Sequence, residues 1–384
     1  MISTWPRLGR EPQLGQVLED ERTVATISDV AEAAGVSPAT VSRVLSRRAS
    51  VNAEMASRVW KAVKDLDYRP SGIARSLRTR QSRVWGIIVS DIRNPFYTDL
   101  LRGLEDTAQE AGYALVIGNA DERPDKESSY LDLFLAERVA GVVMSSASRD
   151  HAEVARLINQ GIPVVAIDRE MPDIAVDAVL ADNEGGAYQA VSHLLSQGFH
   201  RIACITGPVD RPTAMHRLAG FMRAHKDYRL EVDPLLVRHA DFKVAGGYAT
   251  AYDLLTRANP PNALFVTNNL MTVGVLEAAA QLKLRNPRDF ALVGFDEMPL
   301  ANLLPSPLTT VAQPAYEMGS MAAKMLINRA AGDLGSARRV VLPVDLRIRA
   351  TSLRPAHLPG GRQGTVDDYG DAVVVTAAGT GIKA

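Results

Sequence analysis

The chain has a single cysteine in 384 residues, so no disulfide can form within it. Cys204 lies in the apolar run IACIT, where a buried structural thiol is expected rather than a nucleophile. No apolar run approaches the roughly 20 residues that span a bilayer. The first segment, MISTWPRLGREPQLGQVLEDERTV, has no signal-peptide pattern, so a reducing, cytoplasmic setting is expected. The seven histidines (His151, His193, His200, His216, His225, His239, His357) are scattered, without metal-ligand spacing. A Walker pattern and a nucleophile elbow are both lacking. GGAY at 185–188 falls short of a dinucleotide fingerprint and is expected to open a helix close to a strand. No catalytic residue, metal or cofactor is therefore expected, and an NAD-type α/β enzyme stays open on fold class alone.

What the chain has is a charge asymmetry and a change of texture. The net charge is −1, yet residues 23–83 hold eleven Lys and Arg against five Asp and Glu, an excess of six positive charges. Such a block suits a polyanion or simply forms a solvated face. The length suggests two or three domains. Residues 1–23 lack periodicity and are expected to be disordered, as is the Gly- and Pro-rich tail over 354–384. After Arg83, short apolar runs alternate with helical stretches: VWGIIVS (84–90), YALVIGN (113–119), VAGVVMS (139–145), PVVAID (163–168) and VDAVLAD (176–182). A second series follows: RIACITG (201–207), PLLVRHA (234–240), NALFVTN (262–268) and DFALVGF (289–295). Near-continuous apolar strands alternating with helices mean parallel sheets covered on both faces. Two α/β subdomains are expected over 83–353.

The segment 24–69 reads as three short helices. Thr26 and Asp29 form a capping box, with Ile27, Val30 and Ala31 on the apolar face. Gly35 ends that helix, where a left-handed residue is needed. Ser37 caps the second helix and Pro38 occupies its first position. Val41, Val44 and Leu45 face back to the first helix, while Ala39, Thr40, Ser42, Arg43 and Arg47 form the opposite face. Asn52 caps a third helix, expected to bury Met55, Val59, Val63 and Leu66. This is helix-turn-helix geometry, and the second helix can enter a major groove.

The run TISDVAEAAGVSPATVSRVL, followed by VWKAVKDLDYRPSGIARSL, resembles the DNA-binding head of LacI/GalR-type transcriptional repressors. The similarity extends over about residues 26–353. It implies a small all-α helix-turn-helix head joined to an α/β core of two parallel-sheet subdomains, periplasmic-binding-protein-like. It further implies that residues 70–82 hold a hinge helix, with Ser71, Ala74 and a Leu77 that wedges between base pairs in the minor groove. Tyr68 belongs to the same implied DNA-binding set.

Ligands of such sheets bind beyond the carboxyl ends of the strands. Asp91, Asn94, Phe96 and Tyr97 follow the first strand, and Asp168 follows VVAI. Arg211, Thr213 and Arg217 follow RIACITG, Phe242 follows VRHA, Asn268 and Asn269 follow ALFV, and Asp296 follows ALVGF. The resemblance implies that these positions contact a small effector, with Asn269 standing where many relatives carry Asp. Carboxylates, amides and Arg217 between Phe96 and Phe242 suit a monosaccharide, and a purine or nucleoside is the alternative. The expected partners are pseudo-palindromic operator DNA, the effector and a second copy of the chain, with no membrane. Leu101, Leu104 and Ala108 are expected at the dimer contact. A solute-binding protein of a sugar transporter is the remote alternative, against which the helix-turn-helix stands.

Overall fold

At the start of the first helix, α1 (Ile27–Ala34), the Thr26 and Asp29 side chains each accept from the other's backbone N–H, at 3.3 and 2.7 Å. The structure, a computed structural model, describes residues 25–46, 52–68 and 82–354. The expected extension over 1–23, Arg47, the hinge helix with Ser71, Ala74 and Leu77, and the tail over 355–384 lie outside the described residues. The chain divides into two units, Met1–Gln81 and Ser82–Ala384.

In the first unit, Gly35 ends α1 at φ +61°, a conformation that L side chains adopt with strain. The next helix, α2 (Pro38–Ser46), begins with the Thr40 N–H donating to Ser37 Oγ at 3.2 Å. Asn52 Oδ1 accepts from the Glu54 N–H at 2.8 Å and caps α3 (Ala53–Asp65). Val30, Ala31, Ala34, Val41, Val44, Val59 and Ala62 form the shared core. Met55 and Leu66 do not join it: they are 40% and 38% exposed. Helices of eight and nine residues cover only the middle turns of a 13-residue partner, so the buried stripe of α3 is Ala56, Val59, Ala62 and Val63.

The second unit holds two six-stranded sheets of the same design. The first comprises β1 (Val84–Val89), β2 (Ala114–Asn119), β3 (Gly141–Met144), β4 (Val164–Ile167), β5 (Asp177–Ala181) and β11 (Arg339–Leu342). Its order is β2-β1-β3-β4-β5-β11, all parallel. The second comprises β6 (Ile202–Thr206), β7 (Val237–His239), β8 (Ala263–Val266), β9 (Ala291–Phe295), β10 (Thr309–Ala312) and β12 (Asp345–Arg347). Its order is β7-β6-β8-β9-β10-β12, parallel except for β12. All nine strands read from the sequence form. The last three, of four, four and three residues, are too short to announce themselves. The chain crosses between subdomains three times, after β5, after β10 and after β11.

Helix α4 (Pro95–Glu110) follows β1, α5 (Pro124–Ala136) follows β2 and α6 (Ala152–Asn159) follows β3. The second sheet is covered by α7 (Asn183–Ser196), α8 (Pro212–Asp227), α9 (Val244–Leu255) and α10 (Asn269–Gln281). The long helix α11 (Ala315–Ala330) returns to the first sheet and crosses α4. A Cβ on Gly103 would lie 2.0 Å from the Tyr316 carbonyl oxygen, and one on Gly319 would lie 2.0 Å from that of Leu100, so both crossing points need glycine. This packing corrects the expectation for Leu104 and Ala108. Both are fully buried beside Met318 and Ala322, with Leu101 partly buried against the same cluster. The apolar stripe of α4 is core, and burying Leu104 alone contributes about 1.5–3 kcal/mol. No helix among the described residues is long and apolar enough to cross a membrane.

Candidate functional site

The first unit presents the exposed side of α2. Pro38, Ala39 and Arg43 are exposed and Thr40 is half-buried, with its hydroxyl 3.0 Å from that of Ser37. Ser42 departs from the expectation. It is only 9% exposed, on the flank of the helix that carries Leu45 into the core. Thr26 and Asn52 are helix caps, and Tyr68 packs against the head core with its N–H on the Val63 carbonyl at 2.9 Å. The remaining outward face has small side chains and one guanidinium, a shape that fits a major groove and can read a guanine edge.

In the second unit the carboxyl ends of the strands enclose a cavity of about 30 Å³, room for a water or two. Ten of the twelve residues read from the sequence line it: Asp91, Asn94, Phe96, Tyr97, Asp168, Thr213, Arg217, Phe242, Asn268 and Asp296. Asp168, Phe242 and Asp296 have φ of +67°, +61° and +75°. Each sits where the chain leaves a strand and turns sharply, so the left-handed backbone aims the side chain into the cleft at a cost in strain. Asn269 stands one step back. Its Nδ2 donates to Asn94 Oδ1 at 2.9 Å, across the subdomains, and its own Oδ1 is buried without a partner. Arg211 does not line the cavity itself; its guanidinium lies 3.3 Å from Glu122, which does, and 3.6 Å from Asp210.

The polar groups are arranged around two guanidiniums. Arg217 donates from Nε to Asn183 Oδ1 at 2.7 Å and from Nη1 to the Thr267 carbonyl at 2.5 Å. Its plane lies 3.8 Å from the Phe295 ring centroid, and Nη2 is 3.9 Å from Asp296. Burial lowers the Arg217 pKa below its ordinary value, with Asp296 opposing. Burial likewise raises the Asp296 acid, against Arg217 and the Gln313 amide that donates to it at 2.6 Å. Arg169, 4% exposed, meets Glu122 with two hydrogen bonds of 2.6 and 2.9 Å. Burial would lower its pKa, but Glu122 and Asp168 hold it above the ordinary value. Tyr97 donates to Asp168 Oδ2 at 2.9 Å, and its phenol is raised by burial and by that carboxylate. Burial pulls Asp91 upward, yet Arg93 and Lys243 hold it below its ordinary value.

Sequence reasoning missed Glu122, Arg169, Leu270 and Gln313, all of which line the cavity. Arg169 adjoins Asp168 and Leu270 adjoins Asn269, so the strand-end rule extends to both. Glu122 lies beyond the end of β2 in a left-handed turn, φ +61°, and Gln313 follows β10, a strand of four residues that was not read as one. Asn268 caps α10 through the Met271 N–H at 2.8 Å and holds the Phe242 carbonyl at 3.2 Å. A second cavity of about 270 Å³ adjoins the first through Asp168 and Thr213 and reaches His216 and Arg339.

Comparison with known proteins finds relatives along nearly the whole chain. Residues 26–71 match the model for bacterial regulatory proteins of the lacI family, and residues 191–352 match a periplasmic binding protein-like domain. The ribose operon repressor of Halalkalibacterium halodurans is 36% identical over 329 residues, 86% of this chain and 97% of that one. The HTH-type transcriptional repressor CytR of Escherichia coli K12 is 33% identical over 334 residues, with the same coverage. A crystal structure of the Lac repressor dimer bound to operator and the anti-inducer ONPF superimposes with a TM-score of 0.76 at 26% identity, covering 86% of this chain and 99% of that one. A helix-turn-helix unit joined in sequence to a two-sheet core with a polar cleft, and this likeness along nearly the whole chain, place the protein in the LacI family of bacterial regulatory proteins.

Proposed function

We propose that this protein is a homodimeric transcriptional repressor whose grip on operator DNA is set by a monosaccharide bound in the cleft. Two heads on a two-fold dimer suit a pseudo-palindromic operator. Pro38, Ala39, Thr40 and Arg43 face the bases, Thr26, Ser37, Asn52 and Tyr68 fix the helices that present them, and Leu77 in the segment between the units acts as the minor-groove wedge. The effector meets Asp91, Asn94, Asp168, Thr213, Arg217 and Asp296 at its polar edges and Phe96 and Phe242 at its faces, with Tyr97 and Asn269 behind. We assign the protein no catalytic activity, and it works where the chromosome is, in the cytoplasm.

The observation that carries this reading is the convergence of Asp168, Arg217, Asp296 and two phenylalanines on one cavity. The ribose operon repressor among the relatives supports it. A purine or nucleoside is the alternative, for which Thr213, Asp296 and Arg211, the last ion-paired with Glu122 and Asp210, would supply the contacts. A sugar seated among these residues exceeds a cavity of about 30 Å³, so it parts the subdomains or extends into the adjoining cavity of about 270 Å³. Parting of the subdomains supplies the differential binding on which any control depends. Fluorescence anisotropy on an operator duplex, with and without a panel of free sugars, tests the reading. Salt-dependent DNA binding that one sugar shifts is expected, and binding insensitive to every sugar would refute sugar control.

A further inference from the structure

We propose that the effector is an uncharged, unphosphorylated molecule rich in hydrogen-bond donors, and that this cleft rejects phosphate esters. The inference rests on the cleft being the effector site and narrows its chemistry. Four carboxylates line the cavity, those of Asp91, Glu122, Asp168 and Asp296, against two guanidiniums, those of Arg169 and Arg217.

Both guanidiniums are already answered. Arg169 is held by Glu122 on two hydrogen bonds and also donates to the Ser146 carbonyl at 3.2 Å. Arg217 is spent on Asn183, the Thr267 carbonyl and the Phe295 ring, with Asp296 at 3.9 Å. Asp168 is the carboxylate in excess. It accepts from the Tyr97 and Ser145 hydroxyls at 2.9 and 3.2 Å, and its nearest cation, Arg169 Nε, stands 3.8 Å away.

A phosphate would also look for backbone N–H groups at helix starts. At the starts of α4 and α10 those groups are occupied, whereas the start of α8 at Arg211 has no side-chain cap. Asn94 takes the Phe96 N–H at 2.9 Å and Asn268 takes the Met271 N–H at 2.8 Å. A dianion in this cavity would displace an existing partner or sit beside Asp168 and Asp296, with like-charge repulsion in a poorly screened space.

The unmet groups point the same way. Asn269 Oδ1 and Gln313 Oε1 are buried acceptors with no partner. Of these Gln313 lines the cavity and, with Asp168 and Asp296, calls for donors from the ligand, while the unpartnered Nε atoms of Arg169 and Arg211 stand 3.8 Å from Asp168 and 3.3 Å from Glu122. A free sugar supplies hydroxyl donors at all but one of its carbons, whereas a phosphate ester replaces one of them with acceptors.

The test is isothermal calorimetry on the full-length protein with matched pairs: ribose and ribose 5-phosphate, glucose and glucose 6-phosphate, adenosine and adenosine 5′-phosphate, with inorganic phosphate alone beside them. The free member of one sugar pair binds, and its phosphate binds about 100-fold more weakly or not at all, the scale of a like charge a few ångströms away at an effective dielectric constant of about 20. Inorganic phosphate gives no saturable heat. The charge rule is overturned if any phosphate ester binds as tightly as its free partner, or if inorganic phosphate binds and Arg217→Gln abolishes that binding. Binding of adenosine but of no free sugar overturns the sugar assignment instead and leaves the charge rule standing. In Asp168→Asn the gap between a free compound and its phosphate narrows, which a merely structural Asp168 would not produce.

Discussion

Asn269 Nδ2 donates to Asn94 Oδ1 at 2.9 Å, a hydrogen bond between the start of α10 in one subdomain and the cap of α4 in the other. Asn94 Oδ1 also accepts the Phe96 N–H, so one oxygen serves both the helix cap and the join between subdomains. The aspartate implied by the family resemblance at position 269 could not donate here. Its carboxylate would face the same oxygen.

Asn269→Asp should therefore weaken the closed cleft more than Asn269→Ala does, by about 1–3 kcal/mol for a buried acceptor left facing another. Urea denaturation of the two variants measures it. Equal midpoints would remove the role assigned to the amide.

Arg217→Ala should abolish the effect of sugar on operator affinity while leaving sugar-free operator binding intact. It also strands Asp296, 3% exposed, without its cation. The loss of stability should reach about 3 kcal/mol or more, as for other broken buried pairs. Anisotropy and thermal denaturation on one preparation read both effects.

The protein should lose stability on mild acidification. Burial depresses the pKa of His193 and of His225 below the ordinary 6.5, with hydrogen bonds to Ser352 and to the Phe221 carbonyl opposing. Below 6.5 the unfolded chain takes up protons that the folded chain does not. Their contribution is thus complete above that pH and lost as the pH falls through and below it. Urea midpoints between pH 7.5 and about 5.5 should fall, and less steeply in the double variant His193→Gln, His225→Gln.

Lys243 pairs with Asp121 and lies 3.6 Å from Asp91, joining the loop before α9 to the opposite subdomain. Lys243→Met should raise the effector Kd and flatten its salt dependence between about 0.05 and 0.3 M. An unchanged salt profile would show that the lip of the cleft closes without charge.

In the head, Arg43→Ala should cost about 1–3 kcal/mol of operator affinity and relax base preference at one position of each half-site. Competition with base-substituted duplexes checks it. A uniform loss across all duplexes would assign Arg43 to phosphate instead.

Much of the cleft was legible because α/β sheets put ligands at strand ends, and the strands are apolar enough to find. Asp91, Thr213 and Asp296 follow directly from that rule. Arg169 was within reach of the same rule, one residue past Asp168, but its pairing with Glu122 was not legible, nor was Gln313. Glu122 and Arg169 reach the cavity as a pair formed 47 residues apart, and Gln313 depends on a strand, TTVA, that looks like loop. The same non-local packing misled the reading of α4. A stripe of Leu and Ala is equally good against a second copy or against α11, and the sequence distance to Met318 hides the true partner. In α3, periodicity correctly found Val59 and Val63 but overshot at both ends, because period alone carries no information on how long the covering helices are.

The three crossings between the subdomains also bear on how the molecule is made. Neither sheet is a continuous stretch of chain: α11 and β11 belong to the first but follow almost all of the second. A nascent chain that has emerged as far as Ala181 therefore carries Leu100, Leu104 and Ala108 with no Met318, Ala322 or Leu326 to cover them. That apolar stripe must wait for more than 130 further residues of synthesis, about 7–26 s at 5–20 residues per second. During that interval the stripe has no native partner within the chain already made. A stop codon anywhere before about residue 330 would leave the first subdomain's core permanently open.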